Sequence, residues 1–189
     1  MKFINKNTIE LDREINELDR FVFDFLKVLE KHSDYVIVSG YVAIILGRNR
    51  GTDDVDMIIP KMDKVQLKLL YDDLIKHGFW CINSGDINDL YAILEQDKKS
   101  IRFAFEPGFS PNVEIKFAKN EYDLLALKNP VTIKMQNKKF KTSFLELQIA
   151  YKEVVLKSNK DMEDAQFLRD IAKGFINEHL IHEYKKMLK

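Results

Sequence analysis

Apolar residues recur along the 189-residue chain with two different spacings, and the alternation between them predicts a mixture of helices and strands. From Ile9 to Lys31, the residues Ile9, Leu11, Ile15, Leu18, Phe21, Phe25, Val28 and Leu29 fall near helical spacing and predict an amphipathic helix. A strand follows at Tyr35 to Val38, a short helix at Tyr41 to Leu46, a strand at Val55 to Ile59 and a helix at Val65 to His77 that stops at His77-Gly78. Short strands are then expected at Phe79 to Ile82, Leu90 to Leu94, Ile101 to Phe105 and Val113 to Phe117. Val131 to Met135 and Lys138 to Lys141 read as a hairpin turning through Gln136-Asn137, and helical patterning resumes at Ser143. The pattern predicts an α+β fold, a mixed sheet flanked by helices over residues 1–142 and a helical C-terminal segment over 143–189.

Composition narrows the class. The chain is 46% hydrophobic and 32% charged, enough apolar material for a substantial core. Thirty basic residues balance thirty acidic ones, which argues against a general electrostatic coat for nucleic acid while leaving room for local basic patches. No apolar run reaches the ~18 residues of a membrane span, and the N-terminus Met1-Lys2-Phe3-Ile4-Asn5-Lys6 lacks the hydrophobic region of a signal peptide, so a cytoplasmic protein is expected. The single Cys81, beside Trp80, reads as a buried thiol.

One segment carries chemistry. The apolar strand Val36-Ile37-Val38 runs into the small-residue turn Ser39-Gly40, and after a helix-length spacer Thr52-Asp53-Asp54-Val55-Asp56 opens the next strand. Side chains alternate along a strand, so Asp54 and Asp56 project to one face while Val55, Met57 and Ile59 project to the other. Two carboxylates held side by side repel each other, and a hard cation such as Mg²⁺ relieves that repulsion.

At these residues the chain resembles the nucleotidyltransferase superfamily of polymerase-beta-like fold, and within it the small toxin-like and uncharacterised prokaryotic members. The shared pattern is a hydrophobic strand, a Gly-Gly or Gly-Ser turn, a helix, and a Thr or Ser shortly before Asp-x-Asp. Here those positions are Ser39-Gly40, Thr52, and Asp54 with Asp56. The first glycine is replaced by serine, and Gly40 is taken as the more important residue of the turn. The resemblance implies that Ser39, Gly40 and Thr52 bind the triphosphate of an NTP such as ATP, and that Asp54 and Asp56 hold Mg²⁺. Arg48 and Arg50, just before the acids, have forked donors suited to phosphate oxygens.

The resemblance also implies a third carboxylate, as catalytic group and metal ligand, on a later strand. In Asn112-Val113-Glu114-Ile115-Lys116-Phe117, Glu114 alternates with apolar neighbours inside a strand, which makes it the preferred candidate. Glu106, ending the run Ile101 to Glu106 before Pro107-Gly108, is the alternative. A second likeness, to a helix-borne lysine followed by Lys-Asp-x-x-Asp, covers Lys152 and the segment Lys160-Asp161-Met162-Glu163-Asp164. It implies that Lys152 and Lys160 reach the triphosphate, with Asp161 and Asp164 orienting them or capping helices. His179 and His182 supply only two imidazoles and are read as a solvated face rather than a metal site.

The leading expectation is a Mg²⁺-dependent nucleotidyltransferase that moves a nucleoside monophosphate from an NTP to a hydroxyl of RNA, a protein or a small molecule. Two alternatives stand beside it. One is a toxin-type enzyme acting on tRNA and neutralised by an antitoxin partner, and the other is a catalytically silent nucleotide-binding or interaction module.

Overall fold

The computed structural model describes residues 1–189. In chain order the elements are β1 (Lys2–Asn5), β2 (Thr8–Leu11), α1 (Glu17–Leu29), β3 (Val36–Ile37), α2 (Gly40–Ile45), β4 (Asp54–Ile59), α3 (Lys64–Lys76) and β5 (Phe79–Cys81). They continue with α4 (Ile87–Glu95), β6 (Ile101–Phe105), β7 (Asn112–Phe117), α5 (Glu121–Lys128), β8 (Val131–Met135), β9 (Lys138–Thr142), α6 (Leu145–Tyr151), a π-helical turn (Lys152–Leu156), α7 (Asn159–Ile171) and α8 (Glu178–Met187). The fold is α+β, as the alternation of periods predicts, and no helix is long and apolar enough to cross a membrane.

Two units make up the chain, one comprising residues 1–14, 36–51 and 125–189 and the other residues 15–35 and 52–124. In the first, the strand order is β1-β2-β8-β9-β3. β2 runs parallel to β8, β8 and β9 form the predicted hairpin, and β3 lies parallel to β9. One face of these strands buries Ile9, Leu11, Ile133, Met135 and Phe140. The helices α6, α7 and α8 belong to this unit, with α6 packed on α8 and α7.

In the second unit the order is β4-β7-β6-β5. Val55, Met57 and Ile59 on β4 and Val113, Ile115 and Phe117 on β7 are buried, with Ile101 and Phe103 continuing the apolar face on β6. α1 supplies Phe21 and Phe25, whose rings meet Phe79 at 5.9 and 5.3 Å. The Phe25–Phe79 pair is edge-to-face, at an interplanar angle of 88°, which adds to the burial of the rings.

Four elements differ from the sequence expectation, the first being β1, for which no strand was expected. The helix predicted from Ile9 starts only at Glu17, because Thr8-Ile9-Glu10-Leu11 also alternates with period two and is taken up by β8 as a strand. Asn16 then starts α1 with a capping box: its side chain accepts from Asp19 N–H, and Asp19 accepts from Asn16 N–H. Leu90 to Leu94 is helix α4 rather than a strand, since Leu90 and Leu94 are buried at helical spacing and Asp86 caps the start. α5 was not anticipated. Asn120 caps Asp123 N–H, and the buried Asp123 carboxylate pairs with Lys116 at 2.9 Å.

Candidate functional site

In the second unit, β4 and β7 run parallel in a register that sets Asp54 opposite Asn112 and Asp56 opposite Glu114. β6 continues the rows, with Arg102 opposite Glu114 and Ala104 opposite Asn112. Residues opposite each other share a face, so Asp54, Asp56, Asn112, Glu114 and Arg102 stand on the side away from the aromatic core. Thr52 donates its hydroxyl to the backbone carbonyl of Asp54 at 3.0 Å, a contact that shapes the entry to β4.

Asn112 is the residue that the sequence reading missed. It is only 6% exposed, and its Nδ2 donates to Asp54 Oδ1 at 2.7 Å. Its Oδ1 is shielded from solvent and has no hydrogen-bond partner. An orphaned buried acceptor is costly unless something satisfies it. Asp54 and Asp56 present carboxylate oxygens on the same face of β4, and hard oxygen donors of this kind suit Mg²⁺.

Glu114 lies inside β7, whereas Glu106 follows the end of β6 and is exposed. The Glu114 carboxylate is already engaged, by the Arg102 guanidinium and by the Ser100 hydroxyl at 2.8 Å. No three acidic, imidazole or thiol side chains close around a common point anywhere in the chain. Arg102 was legible only as a position on β6 that alternates with core residues, and its pairing with Glu114 follows from the register.

The first unit holds the turn and the cations. Ser39 precedes α2 with φ 65° and ψ −138°, a conformation that favours glycine. Its N–H donates to the buried Gln148 side chain at 3.2 Å. Gly40 has a different constraint: a Cβ there would meet the Arg50 guanidinium at 3.1 Å. The turn therefore uses its small residues for two reasons, and the glycine-demanding backbone belongs to Ser39 rather than Gly40.

Around Asp164, which is fully buried on α7, three cations converge. Arg48 donates to it, Arg50 donates at 2.6 Å and Lys152 at 2.8 Å. Arg48 also reaches Glu163 and the carbonyl of Lys160, and Lys152 reaches Asp161 at 3.3 Å. Lys152 is fully buried at the start of the π-helical turn, so its ammonium faces these carboxylates rather than solvent. Lys160 is exposed in the first turn of α7. Cys81 is buried, and burial pushes its thiol pKa up, which disfavours the nucleophilic thiolate.

With this geometry in hand, solved structures show the same architecture. The chain resembles a nucleotidyltransferase-like protein from Paracoccidioides brasiliensis with TM-score 0.55 and 17% identity over 89% of this chain and 85% of that one. It resembles ANT(2'')-Ia in complex with adenylyl-2''-tobramycin with TM-score 0.52 and 13% identity, covering 91% and 97% of the two chains. JHP933 from Helicobacter pylori gives TM-score 0.50 and 16% identity over 88% and 72%. No family model matches the chain, and no curated protein matches it. These likenesses establish the nucleotidyltransferase fold.

Proposed function

We propose that the protein is a Mg²⁺-dependent nucleotidyltransferase that transfers a nucleoside monophosphate from an NTP to a hydroxyl. The observation that carries this reading is the register of β4 on β7, which aligns Asp54 with Asn112 and Asp56 with Glu114 on a nucleotidyltransferase fold. Asp54 and Asp56 would hold the ion, with Glu114 as the third acid. When bound, Mg²⁺ supplies neutralising charge to the triphosphate and the leaving pyrophosphate.

The chain's own groups do the remainder. Asn112 fixes one Asp54 oxygen by hydrogen bonding and leaves the other for coordination. The acceptor hydroxyl attacks the α-phosphorus, its oxygen forming the new bond as the bond to the bridging oxygen breaks. Pyrophosphate leaves, and Glu114 takes up the hydroxyl proton. No covalent enzyme intermediate is needed, so positioning and electrostatics account for the rate. Ser39, Gly40 and Thr52 serve the triphosphate through the turn and the entry to β4. Arg48 and Arg50, anchored by the Asp164 carboxylate that the buried Lys152 also neutralises, and the exposed Lys160 would supply the cations for the triphosphate.

A second reading, a silent nucleotide-binding module, is favoured by one observation: Arg102 and Ser100 already occupy the Glu114 carboxylate. The two readings part on label position. An enzyme passes label from an α-³²P NTP to an acceptor and releases γ label as pyrophosphate, whereas a silent module binds Mg-NTP and moves neither label.

A further inference from the structure

The neutral total charge conceals a segregation. The unit comprising residues 1–14, 36–51 and 125–189 carries 18 Lys and Arg against 11 Asp and Glu, and the other unit carries 12 against 19. Between Asp123 and Glu146 the chain has five lysines and no acid.

Four lysines of the basic unit lie on one sheet face. The β8–β9 register sets Lys134 opposite Lys139 and Thr132 opposite Lys141. On the other side of β8, Glu10 lies opposite Lys134 and Thr8 opposite Thr132, and β1 brings Lys2 opposite Glu10. One row across the strands is therefore Lys139, Lys134, Glu10 and Lys2, and the next is Lys141, Thr132 and Thr8. These positions alternate with the buried Ile9, Ile133, Met135 and Phe140, so they face away from the core. Lys2 and Lys139 are exposed and Lys134 and Lys141 half-buried. At the end of this face a cavity of about 710 Å³ is lined by Lys2, Lys134 and Arg13, with Glu10, Asp12 and Glu14 also on its wall.

Like charges directly opposite on neighbouring strands destabilise a sheet. The Lys134–Lys139 pair carries that cost, which Glu10 on the other side of Lys134 offsets in part and a polyanionic partner would offset further. The rows repeat every second residue, about 6.7 Å along the strand, and offer ammonium groups and threonine hydroxyls on one sheet face. Protein interfaces are depleted in lysine and rely on buried aromatic or arginine anchors, which these rows lack. Lysine and threonine are instead typical donors to a phosphodiester backbone.

We propose that this face, centred on Lys134, Lys139 and Lys141, docks the phosphate backbone of an RNA, and that RNA is the acceptor class. The assignment of acceptor rests on the nucleotidyltransferase reading; the docking does not. The test uses the full chain and a fluorescein-labelled 20-nucleotide RNA, titrated over a range of NaCl concentrations. Lys134→Glu/Lys139→Glu/Lys141→Glu is expected to weaken binding at least tenfold at low salt and to lower the slope of log K against log salt by about 2 to 3. Lys134→Gln/Lys139→Gln/Lys141→Gln, which adds no repulsion, should lie between, with thermal unfolding confirming the fold. Unchanged RNA affinity and salt slope in folded variants would overturn the docking, as would loss of binding to phosphatidylserine vesicles with RNA binding intact. If RNA binds through these lysines but no RNA, protein or small molecule takes label from NTP, the docking stands and the transfer reading fails. Label that passes only to protein or a small molecule, undiminished in the lysine variants, sinks the RNA assignment and leaves nucleotidyl transfer standing.

Discussion

Asn112 donates from Nδ2 to Asp54 Oδ1 at 2.7 Å, and the two residues face each other directly across the parallel strands β7 and β4. An amide placed this way fixes the orientation of a ligating carboxylate, and loss of such a partner weakens metal binding by roughly 10- to 100-fold. Asn112→Leu, similar in size, is expected to weaken Mn²⁺ binding within that range while retaining the fold. Calorimetric titration with Mn²⁺ checks it, and unchanged affinity would remove Asn112 from the site.

Ser39 holds a backbone conformation that glycine adopts without cost. Strain of this kind is on the order of 1 kcal/mol or more. Ser39→Gly should raise the stability by about 1 kcal/mol, offset in part by the larger freedom of glycine in the unfolded chain. A higher urea midpoint with an unchanged slope is the expected signature.

The Asp164 carboxylate is shared by Arg48, Arg50 and Lys152. Asp164→Asn leaves a buried ammonium without its main counter-charge, and breaking a buried pair in this way costs about 3 kcal/mol or more. Asp161→Asn should cost less, because Asp161 is partly exposed and lies farther from Lys152, at 3.3 Å against 2.8 Å. Equilibrium denaturation of the two variants ranks them, and equal losses would contradict the central place given to Asp164.

Asp73 accepts from His32 at 3.0 Å and from Lys31 at 3.3 Å. The hydrogen bond from His32, reinforced by Lys31, holds its pKa below the ordinary 3.8. A depressed folded-state pKa stabilises the protein above the unfolded value, and that contribution disappears as pH falls through the folded value. The effect is confined to the acid limb, below about pH 4. Asp73→Asn should therefore flatten the acid limb of a stability–pH profile, and an unaltered limb would contradict the assignment.

Much of this was legible in the residues. The acid pair on β4, Glu114 inside β7 and the β8–β9 hairpin follow from period-two alternation, which needs no knowledge of partners. Thr8 to Leu11 was misread because Ile9 and Leu11 fit the helical pattern of the residues that follow, and only pairing with β8 decides between the two periods. Asn112 and Arg102 were invisible for a related reason: each acquires its role from the residue opposite, and strand register is not written in either strand alone. The Ser39 backbone was hidden by the substitution itself, since the residue present is not the one that the conformation favours. Net charge misled in the same way, by averaging a basic unit with an acidic one.

The most direct test of the central claim is transfer of label from an α-³²P-labelled NTP, with Mg²⁺, to pools of RNA, protein and small molecules, comparing wild type with Asp54→Asn/Asp56→Asn. Label on one acceptor class, reduced in the variant by a factor on the order of 10³ or more, is the predicted result. Transfer that persists in the variant, or Mg-NTP binding with no transfer to any pool, would contradict it.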